Sequence, residues 1–200
     1  MGKNVFIVII VFIILFIGYF TFFSKKSIFN LSPPISEKEK SEIFPDTALA
    51  AKFDYLSKNG NSACSLSFYE SIPSMTDDAR LQGSCCSPMS PHRYLEQITG
   101  LKKYTNISEI PSDPYNIEVG LAKKLISYYD GELTQKEQMA YDFAMENSDE
   151  KGPCCCKCWR WYVYGGLAKL LIKNYNFNGE QITEIWNLSD GCGGEGDHVH

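Results

Sequence analysis

Cys154, Cys155, Cys156 and Cys158 stand within five residues, in Gly152-Pro153-Cys-Cys-Cys-Lys-Cys158. Cys85 and Cys86 are adjacent, and Met89 and His92 follow them. Cys192 lies in a glycine-rich tail, residues 190–200, together with His198 and His200, while Cys64 stands alone. Thiolate is the form of cysteine that ligates a metal or attacks a disulfide. Adjacent cysteines seldom bond to each other, because a disulfide needs Cβ atoms about 3.5–4.5 Å apart with a restricted dihedral. The thiols of residues 154–158 therefore need partners elsewhere in the chain, or a metal. They precede a predicted helix whose unpaired N–H groups and positive dipole end favour thiolates. Lys157 and Arg160 add positive charge nearby.

Cys154, Cys156 and Cys158 are the leading candidate metal ligands, with Cys155 beside them. Cys85, Cys86 and Cys192 come next, then Met89 and His92. Cys86, Met89 and His92 recur every third residue, but Ser87-Pro88 interrupts helical geometry, so a shared helix face is expected only for Met89 and His92. Thiolate, thioether and imidazole together suit Cu(I), or zinc where the methionine is a bystander. Taken singly, Met89 reads as core and His92 as an exposed helix residue. Three fates stay open for the eight cysteines: a disulfide framework whose connectivity spacing does not choose, a bound metal, or working redox thiols.

Other chemistry finds little support. There is no P-loop, His-Glu-x-x-His, Gly-x-Ser-x-Gly or EF-hand loop. Cys155 and Cys158 have the thioredoxin spacing, but their surroundings read as helical rather than βαβ. Lys plus Arg number 19 against 24 Asp plus Glu, a net charge of −5, and the pI is about 5.3. That balance argues against a nucleic-acid partner, which calls for a basic face. No organic cofactor is expected.

The elements that must position the thiols are helical. Val5 to Phe23 is a charge-free run of nineteen mostly branched apolar and aromatic residues, about the ~30 Å a membrane-spanning helix needs. It is longer than a signal-peptide core and lacks a small-residue cleavage site. Residues 1–24 therefore read as a single-pass anchor, 25–45 as a linker and 46–200 as a cysteine-rich helical domain. Lys3 on one side and Lys25 and Lys26 on the other leave the positive-inside rule undecided. The short basic start resembles an export signal and points to an extracytoplasmic C-terminal domain at the cytoplasmic membrane.

Asp46 caps a short helix ending near Asn59-Gly60-Asn61, and residues 61–84 read mostly as loop. Ser90-Pro91 opens a helix to about Lys103, and Asp113-Pro114 opens Tyr115 to Tyr129. Thr134 with Glu137 forms a capping box for a helix to about Asn147. Trp159 to Tyr175 and about Glu180 to Leu188 complete an all-α bundle of helical hairpins. Residues 120–129 match residues 166–175 at seven of ten positions. The echo predicts two helix–turn–helix units packed on each other, with Gly120, Ala122, Gly166 and Ala168 allowing close approach. Trp159, Trp161, Tyr162 and Tyr164 are expected to pack against the Tyr128/Tyr129 helix.

Pro153-Cys154-x-Cys156-x-Cys158 resembles the motif of the PCYCGC proteins, a family of small, largely uncharacterised, envelope-anchored bacterial proteins. Residues 139–147 are similar to the helix that leads into that motif, so the resemblance covers about residues 135–160. It implies extracytoplasmic placement and a metal role for Cys154, Cys156 and Cys158. The family usually has Tyr and Gly where this chain has Cys155 and Lys157. It also has a His and a further Cys soon after the motif, where this chain has Trp159 to Tyr164 and only later Cys192.

These readings converge on one expectation: a membrane-anchored protein that binds Cu(I), or Zn2+ in second place, for sequestration or hand-over to a metal donor, acceptor or envelope partner. A disulfide-stapled interaction module and a thiol–disulfide oxidoreductase are the alternatives.

Overall fold

The computed structural model describes residues 42–193. The apolar run Val5–Phe23, most of the linker, and His198 and His200 lie outside the described residues. Among the described residues, no helix is long and apolar enough to cross a membrane.

Seven helices and one short two-stranded ribbon make up the described fold. In chain order they are α1 (Thr47–Asn59), α2 (Leu66–Ser71), β1 (Arg80–Gln82), α3 (Pro91–Leu101), β2 (Asn116–Glu118), α4 (Val119–Tyr129), α5 (Gln135–Asn147), α6 (Trp159–Tyr175) and α7 (Gly179–Ser189). Single 3-10 turns follow α2 and α3. The starts obey the capping chemistry of the sequence. Asp46 accepts from the Leu49 N–H at 2.7 Å, and Ser90 accepts from that of Arg93 at 3.4 Å. Thr134 and Glu137 cap each other reciprocally. Asn178 and Gln181 do the same at the start of α7. The stop of α6 is Asn176, which takes the left-handed conformation at φ 55°.

Two expectations need correction. The segment 61–84 holds α2 and β1, and Asp113-Pro114 opens a turn and a strand rather than a helix. Asp113 Oδ1 accepts from the Tyr115 N–H at 2.9 Å, a local turn that competes with helix. Asn116–Glu118 then pairs antiparallel with β1, placing Ile117 opposite Leu81 and Glu118 opposite Arg80. The two apolar partners are buried, and the two charged ones form an ion pair at 2.5 Å. Cross-strand burial therefore wins over helix propensity for one turn of chain, and α4 starts four residues late.

The internal echo has a structural counterpart. The hairpin α4–α5 lies on the hairpin α6–α7, with α4 against α6 and α5 against α7. Ala122 and Ala168 are fully buried. Gly166 lets the backbones touch, since a Cβ there would sit 1.9 Å from the Leu125 carbonyl oxygen. Its homologue Gly120 faces Asp77 instead. Trp161 and Tyr162 meet α4 as expected: the Trp161 indole donates to the Tyr129 hydroxyl at 2.8 Å, and the Tyr162 ring meets that of Tyr129 edge-on at 4.9 Å. The Trp186 indole donates to the Tyr164 carbonyl at 3.0 Å, locking α7 to α6.

This contact makes a prediction about two glycines at equivalent places in the echo. Gly166→Ala should lower unfolding stability by about 1–3 kcal/mol, because the added methyl forces α4 from α6. Gly120→Ala should stay within about 1 kcal/mol of the parent, helix propensity offsetting a tight contact. Urea melts of both variants check this, and equal midpoints would contradict it.

Candidate metal centre

Four stretches of chain converge at the N-terminus of α6, and each is pinned by identifiable bonds. Asn61 binds the outer edge of β1: its amide donates to the Arg80 carbonyl at 2.9 Å, and its side-chain oxygen accepts from the Gln82 N–H at 2.8 Å. That brings Cys64 over the ribbon. The strand β1 itself delivers Cys85 and Cys86 three residues beyond its end. The turn after α5 is closed by Ser148, whose hydroxyl accepts from the Gly152 N–H at 2.8 Å, and it leads into Cys154–Cys158.

The tail is fastened by the Cys192 carbonyl, which accepts from the Ser87 N–H at 2.8 Å and the Ser87 hydroxyl at 2.9 Å. The Gln97 amide holds the Asp190 carbonyl at 2.5 Å. Two tail glycines are obligatory. Gly193 has φ +82°, and a Cβ there would lie 2.2 Å from the Ser87 carbonyl oxygen. A Cβ on Gly191 would lie 2.1 Å from the Arg160 guanidinium.

All eight cysteines are free thiols, and their sulfurs form one continuous cluster. Cys64 lies 2.6 Å from Cys156, and Cys155 lies 2.9 Å from Cys192. Cys154 lies 3.3 Å from Cys192 and 3.8 Å from Cys158. Cys86 lies 3.8 Å from Cys85 and 3.9 Å from Cys155. Four groups have sulfurs within 4.8 Å of one another: Cys64, Cys86 and Cys156; Cys85, Cys86 and Cys192; Cys154, Cys155 and Cys192; Cys154, Cys156 and Cys158. Each could hold a metal ion. Among the described residues, no four metal-ligating side chains meet that distance mutually. Cys154, Cys158 and Cys192 are buried, whereas Cys64 and Cys86 are exposed.

Arg160 lies beside this cluster with no exposed surface. Its guanidinium donates to the Pro114 carbonyl at 2.5 Å and to the Gly83 carbonyl at 2.8 Å, and it stacks on Trp159 at 4.4 Å. Among the described residues no carboxylate pairs with it, and its Nε has no hydrogen-bond partner. Burial by itself would lower its pKa, yet the negative charge of nearby thiolates, Cys85 first and then Cys154, raises it above the ordinary value. A buried guanidinium needs anions, and thiolates are the anions this site supplies.

Thiol ionisation divides accordingly. Hydrogen bonds from Cys158 and Cys192, helped by Arg160 against the cost of burial, hold Cys85 down to about 2. Cys155 is held down to about 5 by hydrogen bonds from Cys154 and Cys192. Cys154 is raised by Cys155, but the thiols of Cys156, Cys158 and Cys192 outweigh it and bring it down to about 5. Burial and Cys156 push Cys64 up to about 11. Cys86 is pushed up by burial and by the charge on Cys85. Cys156, Cys158 and Cys192 are pushed up by hydrogen bonding to ionised neighbours, Cys154 first in each case. Each ionised sulfur keeps its neighbours protonated, because like charges this close do not ionise together.

The sequence singled out nine side chains. Seven of them, Cys85, Cys86, Cys154, Cys155, Cys156, Cys158 and Cys192, meet in the cluster. Of Met89 and His92, the histidine belongs to none of its groups. Their shared helix face also fails: α3 starts at Pro91, so Met89 is outside it. Met89 is buried instead, with the Ser57 hydroxyl 3.8 Å from its sulfur, and His92 is exposed. The residue that sequence reasoning missed is Cys64, which is 92 positions from Cys156. No spacing signal joins them; Asn61 and an unforeseen strand do.

Comparison with protein-family models, curated proteins and solved structures finds no match.

Arg160 offers a direct check of the electrostatics. In metal-free protein, Arg160→Met should move the pH at which Cys85 alkylates upward, because a cation that favours its thiolate is gone. It also leaves two carbonyls unpaired, at about 1–3 kcal/mol each. Arg160→Lys, which keeps the charge, should retain reactivity in acid. Mass-resolved alkylation against pH reads both variants, and identical Cys85 profiles in the wild type and Arg160→Met would contradict this account.

Proposed function

We propose that this protein binds a soft or borderline metal ion through its clustered cysteines, copper before zinc, for sequestration or hand-over. The observation that carries the reading is the convergence of eight free thiols from four separate stretches into overlapping groups of three. Thiolates at this density select soft or borderline ions. Zinc in structural sites takes four ligands in a tetrahedron, whereas every compact group here has three. That difference favours Cu(I).

Placement follows from the rest of the sequence. The apolar run Val5–Phe23 acts as a single membrane anchor, with the thiol-bearing domain outside the cytoplasm. The partner is then a metal donor or acceptor at the envelope. The likeness of Pro153–Cys158 to the PCYCGC motif agrees with that location and with a metal role.

The disulfide alternative has one observation of its own, the approach of Cys64 to Cys156 at 2.6 Å. Non-reducing mass mapping separates the readings. Four intact bridges in protein purified without metal would favour the stapled module.

Metal analysis of protein prepared anaerobically with Cu(I) or Zn2+ tests the proposal. We expect at least one tightly bound equivalent of copper with a thiolate-to-metal absorption band in the near ultraviolet. Less than a tenth of an equivalent of either metal, with no such band, would overturn it. Loading should also release protons at neutral pH. The thiols of Cys64, Cys86, Cys156, Cys158 and Cys192 are all pushed up, so each gives up a proton when it ligates. Affinity must therefore weaken as pH falls, which a competition titration at several pH values reads out.

A further inference from the structure

The four three-thiol groups are not independent of one another. The group of Cys64, Cys86 and Cys156 shares Cys86 with the group of Cys85, Cys86 and Cys192. That second group shares Cys192 with Cys154, Cys155 and Cys192. The third shares Cys154 with Cys154, Cys156 and Cys158, and the fourth returns to the first through Cys156. The sharing closes on itself. Each group then contains two shared sulfurs and one that belongs to it alone.

We propose that the eight cysteines form a closed ring of four trigonal Cu(I) sites. Cys86, Cys192, Cys154 and Cys156 each bridge two neighbouring ions, and Cys64, Cys85, Cys155 and Cys158 each complete one. This assignment rests on the metal-binding reading above and adds to it the number of ions and the role of each thiol.

Geometry supports it. A metal about 2.3 Å from each of three thiolates leaves those sulfurs about 4 Å apart. The Cys154–Cys158 pair stands at 3.8 Å, the Cys85–Cys86 pair at 3.8 Å and the Cys154–Cys192 pair at 3.3 Å. Two further edges, Cys64–Cys156 at 2.6 Å and Cys155–Cys192 at 2.9 Å, are shorter and must open by roughly 1 Å as the ions enter. A thiolate has lone pairs for two metal bonds, so bridging asks for no further ligand.

Charge supports it as well. Eight thiolates crowded without cations repel one another. Four cuprous ions cancel half of that charge, and buried Arg160 offsets part of the remainder. No electron moves in the assembly: copper enters as Cu(I), each thiol still protonated releases its proton to the buffer, and each bridging sulfur then forms two sulfur–copper bonds and each of the others one.

The ring is graded in exposure. The group of Cys64, Cys86 and Cys156 contains both exposed thiols, whereas that of Cys154, Cys156 and Cys158 has two buried ones. Copper therefore enters, and leaves for an acceptor, through the Cys64/Cys86 side.

The test is an anaerobic titration of the full chain, in detergent, with Cu(I) supplied as its acetonitrile complex against a chromophoric Cu(I) chelator, followed by native mass spectrometry. The expected end point is four copper ions per chain. Cys86→Ser removes a bridge from two sites and should lower the end point to two. Cys64→Ser removes a ligand held by one site and should leave at least three. Both residues are exposed, and circular dichroism verifies that each variant keeps its fold. Wild-type saturation at one to three ions, or above four, would overturn the ring while leaving metal binding intact. Equal end points for the two variants would overturn the bridging assignment. No bound copper at all would overturn both the ring and the metal-binding reading.

Discussion

Crowding of like groups is the constraint on which this structure turns. Thiols from four stretches of chain share one small volume, and once a few are ionised the rest cannot be. The protein tolerates this partly through S–H hydrogen bonds between neighbouring sulfurs and partly through Arg160. That guanidinium is fully buried, and the charges that raise its pKa are led by Cys85, with Cys154 behind it. A core built for stability alone would place an apolar side chain there, since a buried charge without strong compensation is costly. Its presence beside the sulfurs is an electrostatic argument that the site holds negative charge.

The rest of the fold serves to keep the four stretches in place. The doubled hairpin, drawn tight by Gly166 against Leu125, fixes the axis of α6 and hence the position of Cys158 at its start. The ribbon β1–β2 carries Cys85 and Cys86 toward that point, and Asn61 ties the Cys64 loop to the same ribbon. Ser87 clamps the Cys192 carbonyl from beneath. Each tether is a backbone or short side-chain bond, so the sulfurs are held by the frame rather than by one another. A site prepared in this way loses little further conformational freedom when a ligand arrives.

Much of the frame was legible in the sequence because it rests on local rules. Caps at Asp46, Ser90 and Thr134 mark helix starts, and the repeat of residues 120–129 at 166–175 foretells the stacked hairpins. The ribbon was not legible. Its strands are three residues long and lie far apart in sequence, and the Asp113-Pro114 step that precedes β2 looks the same as a helix start. The same limit applies to the site. The sequence exposed the 154–158 run, the 85–86 pair and Cys192, since clustering is visible along a chain. It gave no hint of Cys64, whose place depends on pairing between distant segments. Met89 is buried, in keeping with its reading as a core residue, and because Ser90 caps the helix ahead of Pro91 it shares no helix face with His92.

A thiol site that takes up and releases a soft ion needs a protected interior and an accessible edge. Buried Cys154, Cys158 and Cys192 form such an interior, and exposed Cys64 and Cys86 form such an edge. The central claim is that these sulfurs act as one unit. Alkylation of the copper-loaded protein with a cysteine reagent, mapped residue by residue against metal-free protein, tests that claim most directly. The account predicts that copper protects all eight cysteines together, with exposed Cys64 and Cys86, which label in alkaline metal-free protein, blocked at the same pH once copper is bound. Protection confined to residues 154–158, with Cys64, Cys85 and Cys86 labelled as in the metal-free protein, would contradict it.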